Sequence, residues 1–124
     1  MTNNDIIEIN AIDAYEKLKN NDQSVLIDVR TQSEWDTVGF PNLSNLNKKL
    51  IKLSIMDIDG TINHHFQIDF QNLKIDKNDE IFFICKSGQR SKYSGEIAKS
   101  LGFNKIYNIS DGYINGWLNN ELPT

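Results

Sequence analysis

Ile81-Phe82-Phe83-Ile84-Cys85-Lys86-Ser87-Gly88-Gln89-Arg90-Ser91 runs from four large apolar residues through a small polar loop into a helical pattern. An apolar run this short, bounded by polar residues, reads as a buried strand. The chain's only cysteine is the first residue after it. A strand that delivers a residue into a small-residue loop at a helix N-terminus builds an anion site. Backbone N–H groups point inward there, and the helix dipole favours negative charge. Such a setting biases a cysteine toward thiolate. Gly88 permits a backbone conformation that a side chain resists, Ser87 and Ser91 offer hydroxyls, Arg90 supplies a fixed charge and Lys86 a mobile one.

Bulk properties narrow the field. The 124 residues fit one domain, with its core over about residues 7–118, large enough to need no disulfide or metal staple. The chain is 39% hydrophobic and 24% charged, an ordinary globular balance. A net charge of −4 with no basic stripe argues against nucleic acid. A single cysteine cannot form an intramolecular disulfide, which suits a reducing compartment. The start, Met1-Thr2-Asn3-Asn4-Asp5, is polar, and no long apolar run follows it. The expectation is a cytoplasmic protein with no membrane partner. His64 and His65 are adjacent, with no cysteine or carboxylate cluster at metal spacing, so they read as surface residues and no metal is expected.

Elsewhere the chain alternates strands and helices. Ile6 to Ile9 reads as a strand, and Asn10 caps a helix over Ala11 to Lys19. Val25 to Val29 is a near-continuous apolar run, as in a strand covered on both faces. Thr31-Gln32-Ser33-Glu34 fits a capping box opening a short helix that Gly39 ends. Leu50 to Ile55 reads as a strand, and Asn63 as the cap of a helix over His64 to Leu73 with Phe66, Phe70 and Leu73 on its apolar face. The helix after the cysteine loop runs to Leu101, with Tyr93, Ile97, Ala98 and Leu101 on one face. Lys105 to Ile109 is a last strand, followed by a turn at Asp111-Gly112 and a short helix over Asn115 to Asn119. The pattern predicts an α/β fold with a parallel sheet and helices on both faces. Ligands in such sheets bind beyond the carboxyl ends of strands, which places Asp28 to Arg30 beside Cys85 to Arg90.

Three segments together resemble the rhodanese family. They are Cys85-Lys86-Ser87-Gly88-Gln89-Arg90-Ser91, Asp28-Val29-Arg30 with Glu34-Trp35, and Asp111-Gly112 with Gly116-Trp117. The similarity spans Ile7 to Trp117. It implies a three-layer fold with a central five-stranded parallel sheet. It also implies sulfurtransferase activity, in which Cys85 takes a sulfane sulfur from a donor such as thiosulfate as a persulfide. The implied catalytic residues are Cys85 and Arg90, with Lys86, Ser87, Gly88, Gln89 and Ser91 as the binding loop. Asp28, Arg30, Glu34 and Trp35 are supporting. No cofactor is implied. With no second cysteine to resolve the persulfide, the acceptor is external: a thiol, cyanide or a protein.

Two other readings stand beside this one. Cysteine phosphatases of similar topology hold five residues between cysteine and arginine; this chain has four, a ring suited to one sulfur atom. A non-catalytic binding module with the same fold has no need of the full loop. Asp28 and Arg30 also have a purely structural reading, pinning the strand end through Arg30 to Glu34. Trp35 reads first as a packing residue and second as pocket wall, and Trp117 as packing of the C-terminal turn against the core. Many rhodanese domains carry a Gly-His segment where this chain has Val38-Gly39-Phe40-Pro41-Asn42-Leu43, which changes the pocket wall.

Overall fold

A computed structural model describes residues 5–124; the first four residues of the polar start lie outside the described residues. Five strands form one sheet: β1 (Ile7–Ile9), β2 (Ser24–Asp28), β3 (Ile51–Lys52), β4 (Glu80–Ile84) and β5 (Lys105–Ile109). Their order is β1-β5-β4-β2-β3, and every pairing is parallel. Four α-helices connect them: α1 (Ala11–Asn20), α2 (Gln32–Val38), α3 (Phe66–Asn72) and α4 (Gln89–Ser100). A π-helix, Gly112–Leu118, closes the chain's last turn.

The strands alternate their side chains between two cores. In β4, Phe82 and Ile84 join Ala11, Ala14, Leu18, Tyr113 and Trp117 on the face of α1 and the π-helix. Ile81, Phe83 and Cys85 join Phe66, Phe70 and Ala98 on the face of α3 and α4. Burial on both sides explains why β4 reads as a continuous apolar run. The chain moves outward from β2 to β3, then back through β4 to β5. The direction of winding therefore reverses between β2 and β4, and the crevice at that reversal opens beyond Asp28 and Ile84, which are register partners.

Local signals explain most boundaries. Asn10 accepts from the Asp13 N–H at 2.8 Å and starts α1. The Thr31–Glu34 capping box is complete. Four expectations change. Only Ile51 and Lys52 of the Leu50–Ile55 stretch pair as a strand: the Leu53 N–H still reaches the Asp28 carbonyl, but the Ile55 N–H bonds Val29 rather than Arg30, and the regular ladder ends there. The helix expected from His64 begins at Phe66; Asn63 accepts from the His65 N–H at 3.0 Å just ahead of it and donates to the Ser54 carbonyl at 2.9 Å; Leu73 is exposed. The buried face of α4 is Ser91, Ser94, Gly95 and Ala98, while Tyr93 is 45% exposed. Small residues at i, i+3, i+4 and i+7 let this helix lie close on the sheet. A Cβ on Gly95 would stand 3.1 Å from the Ile106 side chain. The last helix also starts three residues earlier than expected, at Gly112.

Candidate active site

Strand β4 ends at Ile84 and α4 begins at Gln89, so Cys85 to Gly88 form the connection. Two close approaches shape it. Gly88 has φ +99, and a Cβ there would lie 2.7 Å from the Ser110 carbonyl oxygen. Gly112 has φ +71, and its Cβ would lie 2.0 Å from the Lys86 carbonyl oxygen. The loop is thus clamped by bare backbone from the turn after β5. The Tyr113 N–H adds a 2.8 Å bond to the Cys85 carbonyl. Asp111 orients that turn: its Oδ1 accepts from the Ala11 N–H at 2.9 Å, and Gly116 leaves room for it. Trp117 is fully buried, and its indole donates to the Pro123 carbonyl at 2.7 Å. The Asp111-Gly112 and Gly116-Trp117 pairs therefore hold the loop from behind.

Cys85 is 1% exposed. Its Sγ accepts from the Gly88 N–H at 3.1 Å and lies 3.2 Å from Ser91 Oγ. Lys86, Ser87 and Gln89 are exposed, so the middle of the loop forms its solvent side. The loop and α4's first turn bring together a sulfur, an N–H aimed at it and the positive end of a 12-residue helix. That assembly suits negative charge on sulfur.

Arg90 is held by Glu34 rather than by the sulfur. Its two terminal nitrogens donate to the two carboxylate oxygens at 2.6 and 2.9 Å, a bidentate pair. Glu34 also accepts from the Thr31 N–H and hydroxyl. The Arg90 hydrogen bonds, helped by those from Thr31, draw the Glu34 carboxyl down to about 2. Glu34 in turn raises Arg90 above its ordinary value, with a smaller contribution from Cys85. One carboxylate thus ties the N-terminus of α2 to the N-terminus of α4.

Asp28 and Arg30 share the sheet edge with the loop but not its face. Arg30 pairs with Asp28 at 2.7 Å, not with Glu34 as the sequence suggested, and both are buried. Residues two apart at a strand end share one face and reach each other more readily than a partner on α2, whose carboxylate Arg90 already fills. The Arg30 guanidinium also lies 4.0 Å from the Tyr113 ring centroid and donates to the Gly39 carbonyl at 2.9 Å. Trp35 is buried with no partner for its indole N–H, which fits packing. Where the Gly-His segment is replaced, Phe40 is partly exposed, and the Lys52 ammonium sits 3.5 Å from its ring centroid.

Sequence reasoning missed Asn108 and Glu8. Asn108 is buried in β5 and contacts both Ser91 and Gly88. A lone amide inside Ile106-Tyr107-Asn108-Ile109 was the available signal, because a buried polar side chain needs partners. Among the described residues no group of three or more His, Cys, Asp or Glu is placed to hold a metal. No helix there is long and apolar enough to cross a membrane.

The chain as a whole has counterparts among known proteins. Residues 7–124 match the family model described as the STR4 middle domain. The Drosophila melanogaster rhodanese domain-containing protein CG4456 is 33% identical, over 86% of this chain and 96% of that one. The chain belongs to the rhodanese-like family. An uncharacterized Rickettsia rickettsii protein, the RP600 homolog, is 39% identical over 89% of both chains. Among solved structures, Rv0390 of M. tuberculosis superposes with a TM-score of 0.88 at 32% identity, covering 96% of each chain. The polysulfide-sulfur transferase homodimer of Wolinella succinogenes gives 0.77 at 25%, over 95% of this chain and 77% of its own. The rhodanese-like fold and its five-stranded parallel sheet are therefore shared with relatives that include a sulfurtransferase.

Proposed function

We propose that this rhodanese-like protein is a sulfurtransferase that carries sulfane sulfur as a Cys85 persulfide. The observation that carries the reading is the Cys85 Sγ seated at the N-terminus of α4 and accepting the Gly88 N–H. The name of the Wolinella relative points to the same chemistry.

With thiosulfate as donor, the Cys85 thiolate attacks the outer sulfur. A new S–S bond forms, the bond to the sulfonate sulfur breaks, and its electron pair leaves with sulfite. The persulfide retains one negative charge on its terminal sulfur. Loop amides from Lys86 to Gly88 and the α4 N-terminus stabilise that charge. In the second half-reaction cyanide or a thiolate attacks the terminal sulfur, and the electron pair of the S–S bond returns to Cys85. With no other cysteine in the chain, that acceptor is a separate small molecule or protein. Arg90 anchors the start of α4 to Glu34 on α2, its guanidinium paired there rather than with the sulfur.

Two half-reactions sharing one covalent intermediate predict ping-pong kinetics. The test is steady-state thiocyanate formation with thiosulfate and cyanide varied together. Parallel double-reciprocal lines, lost in Cys85→Ser, support the reading. No turnover with thiosulfate or polysulfide would remove it, and Cys85-dependent hydrolysis of p-nitrophenyl phosphate would replace it with phosphatase chemistry.

A further inference from the structure

The amide of Asn108 has three partners. Nδ2 donates to the Gly88 carbonyl at 3.0 Å and to Glu8 Oε1 at 2.9 Å. Oδ1 accepts from Ser91 Oγ at 2.5 Å. Two acceptors at one end fix that end as the NH₂ group, because the reverse orientation sets oxygen against a carbonyl and a carboxylate. Ser91 has a single hydroxyl proton. With that proton on Asn108, Ser91 Oγ turns a lone pair toward Cys85 Sγ, 3.2 Å away. A lone pair there accepts from a thiol S–H and is mismatched to a thiolate.

We infer that Asn108 is a positioning residue that sets the direction of the Ser91 hydroxyl and, through it, the protonation state Cys85 holds at rest. When the thiol gives up its proton to a base in solution, the Ser91 hydroxyl rotates from Asn108 Oδ1 to Sγ. No covalent bond changes in that rotation, but Asn108 Oδ1 is left buried without a donor, and that loss opposes ionisation. Once sulfur transfer moves the charge to the outer sulfur of a persulfide, the hydroxyl can return to Asn108. The network thus works against charge on the sulfur of the empty site, opposing the Gly88 N–H and the helix N-terminus, and releases its hold when a sulfur has been loaded. This inference rests on the proposed persulfide chemistry for its meaning, but not for its test.

Other charges surround the sulfur. Arg90 lies on α4, neutralised by Glu34 on α2. Asp28 and Arg30 stand at the end of β2, and Lys86 is in the loop. Glu8, on β1, lies 3.8 Å from the Lys92 ammonium of α4. None of them is substituted in the variants that follow, and Glu8 loses only its bond from the Asn108 amide.

The chain's single cysteine allows its ionisation to be followed by iodoacetamide alkylation against pH, read by intact mass. Asn108→Leu removes the acceptor and leaves Ser91 free to donate to sulfur. The pH at half-maximal alkylation rate is expected to fall by about half to one pH unit. In the Ser91→Ala background the same substitution is expected to cause no such fall. A fall of equal size with and without the hydroxyl overturns the inference, since Asn108 would then act through loop shape alone. No change, or a rise, overturns it too. Should Asn108→Leu not fold, Asn108→Ala is read by the same criteria. Persulfide formation on the wild-type protein is scored separately. Its failure removes the proposed function, while the alkylation profiles still decide the role of Asn108.

Discussion

Replacing Glu34 by Gln probes the junction between the two helix starts at the site. The substitution keeps an oxygen for Thr31 and removes the charge that Arg90 holds in two bonds of 2.6 and 2.9 Å. The folded protein draws the Glu34 carboxyl from 4.5 down to about 2. At about 1.4 kcal/mol per pH unit, that caps its contribution at about 3 kcal/mol. The Glu34 side chain is 25% exposed, and solvent screening reduces the expected contribution to on the order of 2 kcal/mol. Because the carboxyl is depressed on folding, this stability is complete above pH 4.5 and is lost as pH falls toward 2. Linkage places somewhat more than half of the loss above about pH 3. Urea unfolding of both proteins at neutral pH and again at about pH 3 measures the gap. The expected result is a gap on the order of 2 kcal/mol that narrows by more than half in acid. A gap of constant size, or none at neutral pH, would refute the argument.

Two further substitutions test the packing behind the loop. Gly112→Ala places a Cβ 2.0 Å from the Lys86 carbonyl oxygen at φ +71, whereas Gly60→Ala meets nothing within 4 Å at φ +87. Left-handed strain costs each variant about 1–2 kcal/mol, and overpacking adds about 1–3 kcal/mol to the first alone. Equal losses in urea unfolding would contradict the clamp. Tyr113→Phe deletes a buried hydroxyl that lacks a hydrogen-bond partner, so stability is expected to hold or to rise by up to about 1 kcal/mol; a larger loss in thermal unfolding would reveal a partner.

The strand and loop from Ile81 to Arg90 are legible in sequence because burial on both faces leaves an unbroken apolar run and because the loop's small residues serve local backbone needs. The Thr31–Glu34 capping box is legible for the same reason, its partners being three residues apart. Long-range pairing is not. Nothing local tells Arg90 to choose Glu34, 56 residues away, and with Glu34 so occupied Arg30 falls to its near neighbour Asp28. The buried face of α4 is misread in part: Ile97, Ala98 and Leu101 do pack against the core, but Tyr93 faces outward, and close helix–sheet approach adds Ser91, Ser94 and Gly95. Asn108 stays hidden because its role depends on Glu8 and Gly88 arriving from 100 and 20 residues away.

The central claim is that Cys85 accepts a sulfane sulfur. Intact-mass measurement after incubation with thiosulfate, then with polysulfide, addresses it directly. The account predicts that the protein gains the mass of one sulfur atom, that cyanide removes it, and that Cys85→Ser never acquires it. A wild-type protein that stays unmodified by both donors, or a gain that persists in Cys85→Ser, would contradict the account.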